Sequence, residues 1–170
     1  GEIGRLMTTR NFIVTDAGGQ RIAAASTLWA MIDVKTRQPL DLRDNVDYSR
    51  ALLAIPCPID KPAKIGRIEG VPCDSRRVRY SDIDFNQHTN SMKYIQWMLD
   101  ALPLEKLTGC RMKRLDVNFV HETRYGQQLV VCCEYGTDRD RFEIRFEDGT
   151  AACKAAIRWE TSDERSNQTA

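Results

Sequence analysis

Apolar residues at positions 92, 95, 98, 99 and 102 recur at three- and four-residue spacing. That period predicts an amphipathic helix over 89–102 that buries Met92, Ile95, Met98, Leu99 and Leu102. Pro103 stops it, and Thr89 or Asn90 can cap its start. Elsewhere the period is two. Residues 11–16, 21–34, 77–80, 113–122, 128–135, 141–147 and 151–160 read as strands. Ala17-Gly18-Gly19-Gln20 and Asp148-Gly149 supply turn chemistry for two hairpins. Residues 36–40 leave the sheet, with Pro39 as a breaker, and 106–112 read as a connection. Residues 1–8 carry no pattern, and 161–170 read as a frayed polar end.

Residues 41–75 change character. A polar stretch (41–49) and a brief apolar one (51–55) lead into Pro56, Pro58, Pro62 and Pro72 with Gly66 and Gly70. This reads as an extended connector crossing a surface. From residue 76 onward the order is strand, helix, then four strands, and the economical arrangement is an α+β fold with a curved antiparallel sheet around a central helix. The expected plan is the C-terminal part of a first domain at 1–40, a linker at 41–75, a second, complete domain at 76–161 and a polar tail at 162–170.

The two hairpins repeat each other at a constant offset of 130. Phe12 falls on Phe142, Val14 on Ile144, Gly19 on Gly149, Ala23 on Cys153, Ala25 on Ala155 and Trp29 on Trp159. A period this long means tandem domains rather than a solenoid. The first-domain counterpart of the helix would fall before Gly1. The expectation is a chain that is one piece of a longer protein, or one that a second fragment or a second copy completes.

Composition narrows the function classes. A net charge of +1, with 29% charged residues, creates no global field toward nucleic acid or membrane. Two local runs are basic: Lys61, Lys64, Arg67, Arg76, Arg77 and Arg79, and a second over 105–114. They read either as solvated surface or as a landing area for an acidic partner. Six cysteines show no CxxC spacing and suggest buried free thiols in a reducing compartment. Cys132 and Cys133, as neighbours in a strand, point to opposite faces. Two histidines without paired ligand spacing argue against a metal site, and no cofactor motif is present.

The chemistry gathers at the start of the helix. Asp84, Asn86 and His88 stand two apart, which on an extended backbone puts all three on one side. A carboxylate, an amide and an imidazole then meet at the positive end of a helix. Each also has a structural reading: an Asx turn for Asp84, a turn asparagine for Asn86, a surface or capping residue for His88. Backbone N–H groups over 89–91 are candidate donors to an oxyanion. Asp82 is expected to face outward, and His121 to point away from its neighbour Glu122.

Nearly the whole chain resembles the acyl-acyl-carrier-protein (acyl-ACP) thioesterases, a tandem hotdog family. Residues 10–14, 26–33 and 35–39 resemble the end of its first hotdog domain. Asp84-x-Asn86-x-His88 with Lys93-Tyr94-Ile95 resembles its catalytic segment. The resemblance implies a hotdog fold at 76–161 and hydrolysis of acyl-ACP to free fatty acid, which ends fatty acid synthesis. It also implies Asp84, Asn86, His88 and Glu122 as the catalytic set, with Glu122 as general base for water or sharing that role with His88. Many members carry a cysteine directly after that glutamate; here the position is Thr123. The implied partner is acyl carrier protein with its phosphopantetheine-linked chain, in a bacterial cytoplasm or, in a plant, the plastid stroma. Two alternatives stay open: an acyl-CoA thioesterase of the wider hotdog class, and a non-catalytic acyl-binding hotdog protein.

Overall fold

The computed structural model describes residues 4–45, 47 and 56–160. The expectations for 1–3, 51–55 and 161–170 lie outside the described residues. Two compact units divide the chain, 1–63 and 64–170.

In the first unit, β1 (Met7–Thr15) and β2 (Arg21–Ala30) form an antiparallel hairpin, and a one-turn helix α1 (Leu42–Asn45) comes after it. Strand β2 stops short of the 34 expected because the Asp33 carboxylate gathers the backbone N–H groups of Lys35 and Thr36 (3.0 and 2.7 Å) into a turn. A single bridge, Ile32 to Pro39, closes that turn.

The second unit is a five-stranded antiparallel sheet holding one long helix. Its elements are β3 (Val71–Arg77), α2 (Ser91–Asp100), α3 (Leu104–Gly109), β4 (Met112–Phe119), β5 (Gln128–Glu134), β6 (Arg139–Phe146) and β7 (Ala151–Trp159). The strand order is β3-β5-β6-β7-β4. Strand β3 ends at Arg77, where the expected strand begins, and starts six residues earlier; Tyr80–Asp82 forms a 3-10 turn instead. Strand β3 tolerates Pro72 because it is an edge strand, where a missing N–H breaks no central ladder, and its register shifts between Pro72 and Asp74. Helix α3 occupies what reads in sequence as a connection.

Helix α2 keeps Met98 and Leu102 of the predicted stripe in the core, with Leu99 packed against it, but widens that face to two aromatics and leaves Met92 out. Tyr94 (4% exposed), Trp97 and Met98 are buried against β5, β6 and β7, while Met92 is 65% exposed. The aromatic rings outweigh the methionine: each removes more apolar surface from water, and Tyr94 and Trp97 meet edge to face at 5.7 Å. Asn90 is the cap, its Oδ1 accepting from Met92 N–H at 2.9 Å.

The unit begins at Lys64 rather than 76, so part of the expected linker belongs to it. Residues 64–70 strap the sheet face opposite α2. Ile65 and Ile68 bury themselves there with Ala156. Ile65 N–H donates to Asn118 Oδ1 (2.8 Å), Ile68 N–H to Glu143 Oε2 (3.3 Å) and Glu69 N–H to Glu134 Oε1 (2.6 Å). Arg141 and Arg145 donate back to the Arg67 and Ile68 carbonyls. Gly70 lets the strap pass, since a Cβ there would sit 2.5 Å from the Cys133 carbonyl oxygen.

The repeat is structural as well as sequential. Phe12 pairs with Ala25 as Phe142 pairs with Ala155. The register breaks between Val14 and Thr15 in one hairpin and between Ile144 and Arg145 in the other. Gly19 and Gly149 both close their turns at φ 82°, a left-handed conformation that glycine adopts without Cβ strain. Burial differs: Phe142 is fully buried, whereas Phe12 is 50% exposed.

Two expectations about polar and sulfur chemistry are corrected. Cys73 and Cys133 are joined as a disulfide, so only Cys132 and Cys153 are buried free thiols, with Cys110 half-buried and Cys57 exposed. Burial pushes the Cys153 thiol up to about 12. Several basic side chains are committed internally. Lys106 binds the fully buried Asp140 at 2.7 Å, and Trp159 Nε1–H donates to the same carboxylate at 2.6 Å. Arg76 pairs with Asp74 and Asp100, and Arg114 grips Asp116 with two bonds. The expected landing areas therefore offer fewer free charges than their composition suggests. Among the described residues no helix is long and apolar enough to cross a membrane, and no cluster of His, Cys, Asp and Glu could hold a metal.

Candidate active site

The segment carrying Asp84, Asn86 and His88 is a tight turn, not an extended strand. Asp84 and His88 close it through the Asp84 N–H to His88 carbonyl bond (2.9 Å), and Ile83 and Thr89 bridge at its base. Gln87 takes a left-handed φ of 63° to complete it. The Asp84 carboxylate organises the turn from within, accepting from the backbone N–H of Asn86 (2.9 Å) and His88 (3.4 Å). Asp84 thus sets loop shape by an Asx-type turn. Asn86 stands exposed at the loop apex.

His88 and Glu122 come together across the fold, with His88 Nε2 3.1 Å from Glu122 Oε2. Their side chains keep 21% and 44% of their exposure, so water reaches the pair. A ring nitrogen that faces a carboxylate is one that carries a proton. Glu122 lies past the end of β4 rather than on it. Val120 and His121 N–H both donate to the Ala152 carbonyl (2.9 and 3.0 Å), which ends the regular ladder and turns Glu122 toward the helix start. His121 bonds through Nδ1 to the Ala151 carbonyl at 2.8 Å, away from the pair.

Two expectations fail here. Asp82 does not face outward: it is buried, its Oδ2 accepts from Arg79 N–H at 2.8 Å, and its Oδ1 lies 3.6 Å from Lys93 Nζ. Of the three backbone donors expected for an oxyanion, two are engaged. Thr89 N–H donates to the Thr123 carbonyl and Asn90 N–H to the Asp82 carbonyl, each at 2.8 Å. Ser91 N–H remains, at the first residue of α2.

Sequence reasoning passed over a buried hydroxyl cluster directly behind the pair. Thr123 (0% exposed) bonds to Thr89 through the hydroxyls at 2.6 Å and to Tyr94 Oη at 2.8 Å. Burial raises the Tyr94 phenol above its ordinary value, and the hydrogen bonds to Thr123 and Thr89 work against that rise. The available signal was adjacency: Thr89 and Thr123 each directly follow a candidate site residue.

A groove of about 460 Å³ lies between β3 and the outer side of α2. It is lined by Arg76, Arg77, Arg79 and Lys93 on one sign and Asp74, Asp82 and Asp100 on the other. Neither His88 nor Glu122 lines it, so it flanks the pair rather than enclosing it.

An antiparallel sheet curved around one helix, with an acid–imidazole pair where that helix begins, marks a hotdog-fold protein. Residues 69–161 match the family model described as "Acyl-ACP thioesterase C-terminal domain", and residues 2–48 the one described as "Acyl-ACP thioesterase N-terminal domain". The chain belongs to the acyl-ACP thioesterase family. It is similar to a solved acyl-ACP thioesterase from Bacteroides thetaiotaomicron, at 32% identity and a TM-score of 0.82, covering 94% of this chain and 65% of that one. The 12:0-ACP thioesterase from Umbellularia californica shares the fold, with a TM-score of 0.75 at 20% identity, over 94% of this chain and 63% of that one. The chloroplastic palmitoyl-acyl carrier protein thioesterase of Cuphea hookeriana is 27% identical over 168 residues, 88% of this chain and 40% of the relative. The chain spans about two fifths of the length of the curated relatives it matches.

Proposed function

We propose that this chain carries the catalytic half of a thioester hydrolase that releases free fatty acid from acyl-acyl carrier protein. The observation that carries the reading is the 3.1 Å approach of His88 Nε2 to Glu122 Oε2 beside the first turn of α2. The Glu122 carboxylate takes a proton from water as the water oxygen bonds to the thioester carbonyl carbon. His88 holds that carboxylate in place through Nε2–H. The oxygen that becomes negative accepts from Ser91 N–H, where the helix start favours negative charge. The C–S bond then breaks, and the proton passes from Glu122 to the departing sulfur, leaving a carboxylic acid and a free thiol. Asp84 keeps the loop in register, and Asn86, exposed at its apex, is placed to meet the pantetheine arm.

In this reading residues 1–40 are the C-terminal part of a first hotdog domain, and the catalytic domain runs to 161. The identical strand register of the two hairpins supports that plan. The partner is acyl carrier protein, in the bacterial cytoplasm or the plastid stroma, and Arg77, Arg79 and Lys93 around the groove offer it positive charge. The test is hydrolysis of acyl-ACP, with the acyl-CoA ester alongside, by the natural protein and its Glu122→Gln and His88→Ala variants. Each substitution is expected to lower kcat by about 10²-fold or more. Near-parental turnover by both folded variants would refute the assignment.

A further inference from the structure

We infer that Thr123, Thr89 and Tyr94 form a buried hydroxyl clamp that positions Glu122 against His88, an inference that rests on the catalytic reading of that pair. The geometry is a two-rung ladder. His88 and Glu122 form the solvent-facing rung, at 3.1 Å. The residues directly after them, Thr89 and Thr123, form the inner rung and are 6% and 0% exposed. The inner rung is bonded twice: Thr89 N–H to the Thr123 carbonyl at 2.8 Å, and Thr123 Oγ1–H to Thr89 Oγ1 at 2.6 Å.

Tyr94 ties this rung to α2. Thr123 N–H donates to Tyr94 Oη at 3.2 Å, and Tyr94 Oη lies 2.8 Å from Thr123 Oγ1. Since Thr123 gives its hydroxyl proton to Thr89, Tyr94 must give its own to Thr123. All three polar groups of Thr123 are therefore used: N–H, C=O and hydroxyl. With backbone and side chain of residue 123 both held, the Cα of Glu122 has little freedom, and its side chain reaches toward His88 from a fixed point. The need is physical. Glu122 sits beyond the end of β4, where the sheet ladder no longer fixes it, and a loosely held base loses rate steeply with displacement. A threonine suits the position because its hydroxyl donates and accepts at once and its methyl fills dry space. Thr123, Thr89 and Tyr94 are positioning residues: none reaches the reacting atoms.

The clamp is tested by two readouts on the same variants. The chain has two histidines, so labelling histidine with ¹⁵N gives few side-chain signals, and a His121→Asn variant assigns them. The His88 Nε2 shift reports its contact with Glu122. Glu122→Gln should move that shift. Thr123→Val, which keeps the shape and removes the hydroxyl, should move it in the same direction in protein that remains folded by circular dichroism. Thr123→Ser, which restores the hydroxyl, should return it. In the natural protein, Thr123→Val should lower kcat by about 10²-fold, with KM little changed. Tyr94→Phe is the second probe should Thr123→Val not fold, and it should move the same signal. A purely structural role would lower the melting temperature and leave the His88 shift of the folded protein unmoved. That result, with Glu122→Gln still responsive, would overturn the clamp alone. An unresponsive Glu122→Gln would remove the pair itself, and with it both the clamp and the catalytic reading.

Discussion

Phe12 and Phe142 are the same residue in the same register of two equivalent hairpins, yet truncating them should have very different costs. Each sits opposite an alanine, Ala25 or Ala155, in a hairpin that reverses at a left-handed glycine. Phe142 is 0% exposed and packs within the cluster formed by α2 and the sheet, 6.4 Å from the Tyr135 ring. Phe142→Ala loses the transfer free energy of the ring and leaves a cavity that the surrounding strands cannot close, about 3–5 kcal/mol. Phe12 is 50% exposed. Full burial of such a side chain is worth about 1.5–3 kcal/mol, so half burial with no enclosed cavity gives about 1–1.5 kcal/mol. In urea, with a slope of about 2 kcal/mol/M, the midpoint should fall by about 2 M for Phe142→Ala and by less than about 1 M for Phe12→Ala. Unfolding followed by circular dichroism on both variants checks this. Equal shifts would mean that hairpin register, not coverage by α2, sets the burial energy, and the reasoning would fail.

Charge and sulfur each give a further outcome. Burial alone would raise the Glu143 carboxyl, but the hydrogen bond and charge of Arg145, together with Lys154, hold it below its ordinary value near 4.5. A depressed carboxyl stabilises the fold above the unfolded-state value and loses that contribution as pH falls through the folded-state one. Stability should therefore decline as pH drops below about 4.5. Glu143→Gln should flatten that decline and cost about 2 kcal/mol at neutral pH, less than a fully buried pair because Arg145 and Lys154 keep some solvent. Urea midpoints across pH 3–7 that show the same acid decline in both proteins would contradict this. Alkylation of the native chain at neutral pH should modify Cys57 first and spare Cys132 and Cys153, whose thiols burial pushes upward. Peptide mapping showing early modification of Cys153 would contradict the packing of β7.

Local chemistry was enough for much of this protein. Alternation and turn residues mark the strands from β4 to β7, because each needs only an apolar face and a glycine where the chain reverses. The span of α2 is legible from its cap and from Pro103. The hairpin repeat can be read directly, since matched side chains at one offset imply matched register. The candidate pair was legible only through the resemblance, because nothing in the sequence brings Glu122 to a histidine 34 positions earlier.

Tertiary structure decided what depends on a distant partner. Helical period marks Met98, Leu99 and Leu102 of α2, and the sheet added Tyr94 and Trp97 to that face in place of Met92. Asp82, Asp140 and Glu143 look like surface carboxylates by type, and only the donors that surround them make their burial tolerable. Residues 64–70 read as linker because the carboxylates and arginines that hold the strap lie on strands far along the chain. Thr123 is a threonine like any other until the fold brings Thr89 and Tyr94 to it. Periodicity belongs to the chain, but hydrogen-bond partners across the fold exist only once the sheet has closed around the helix.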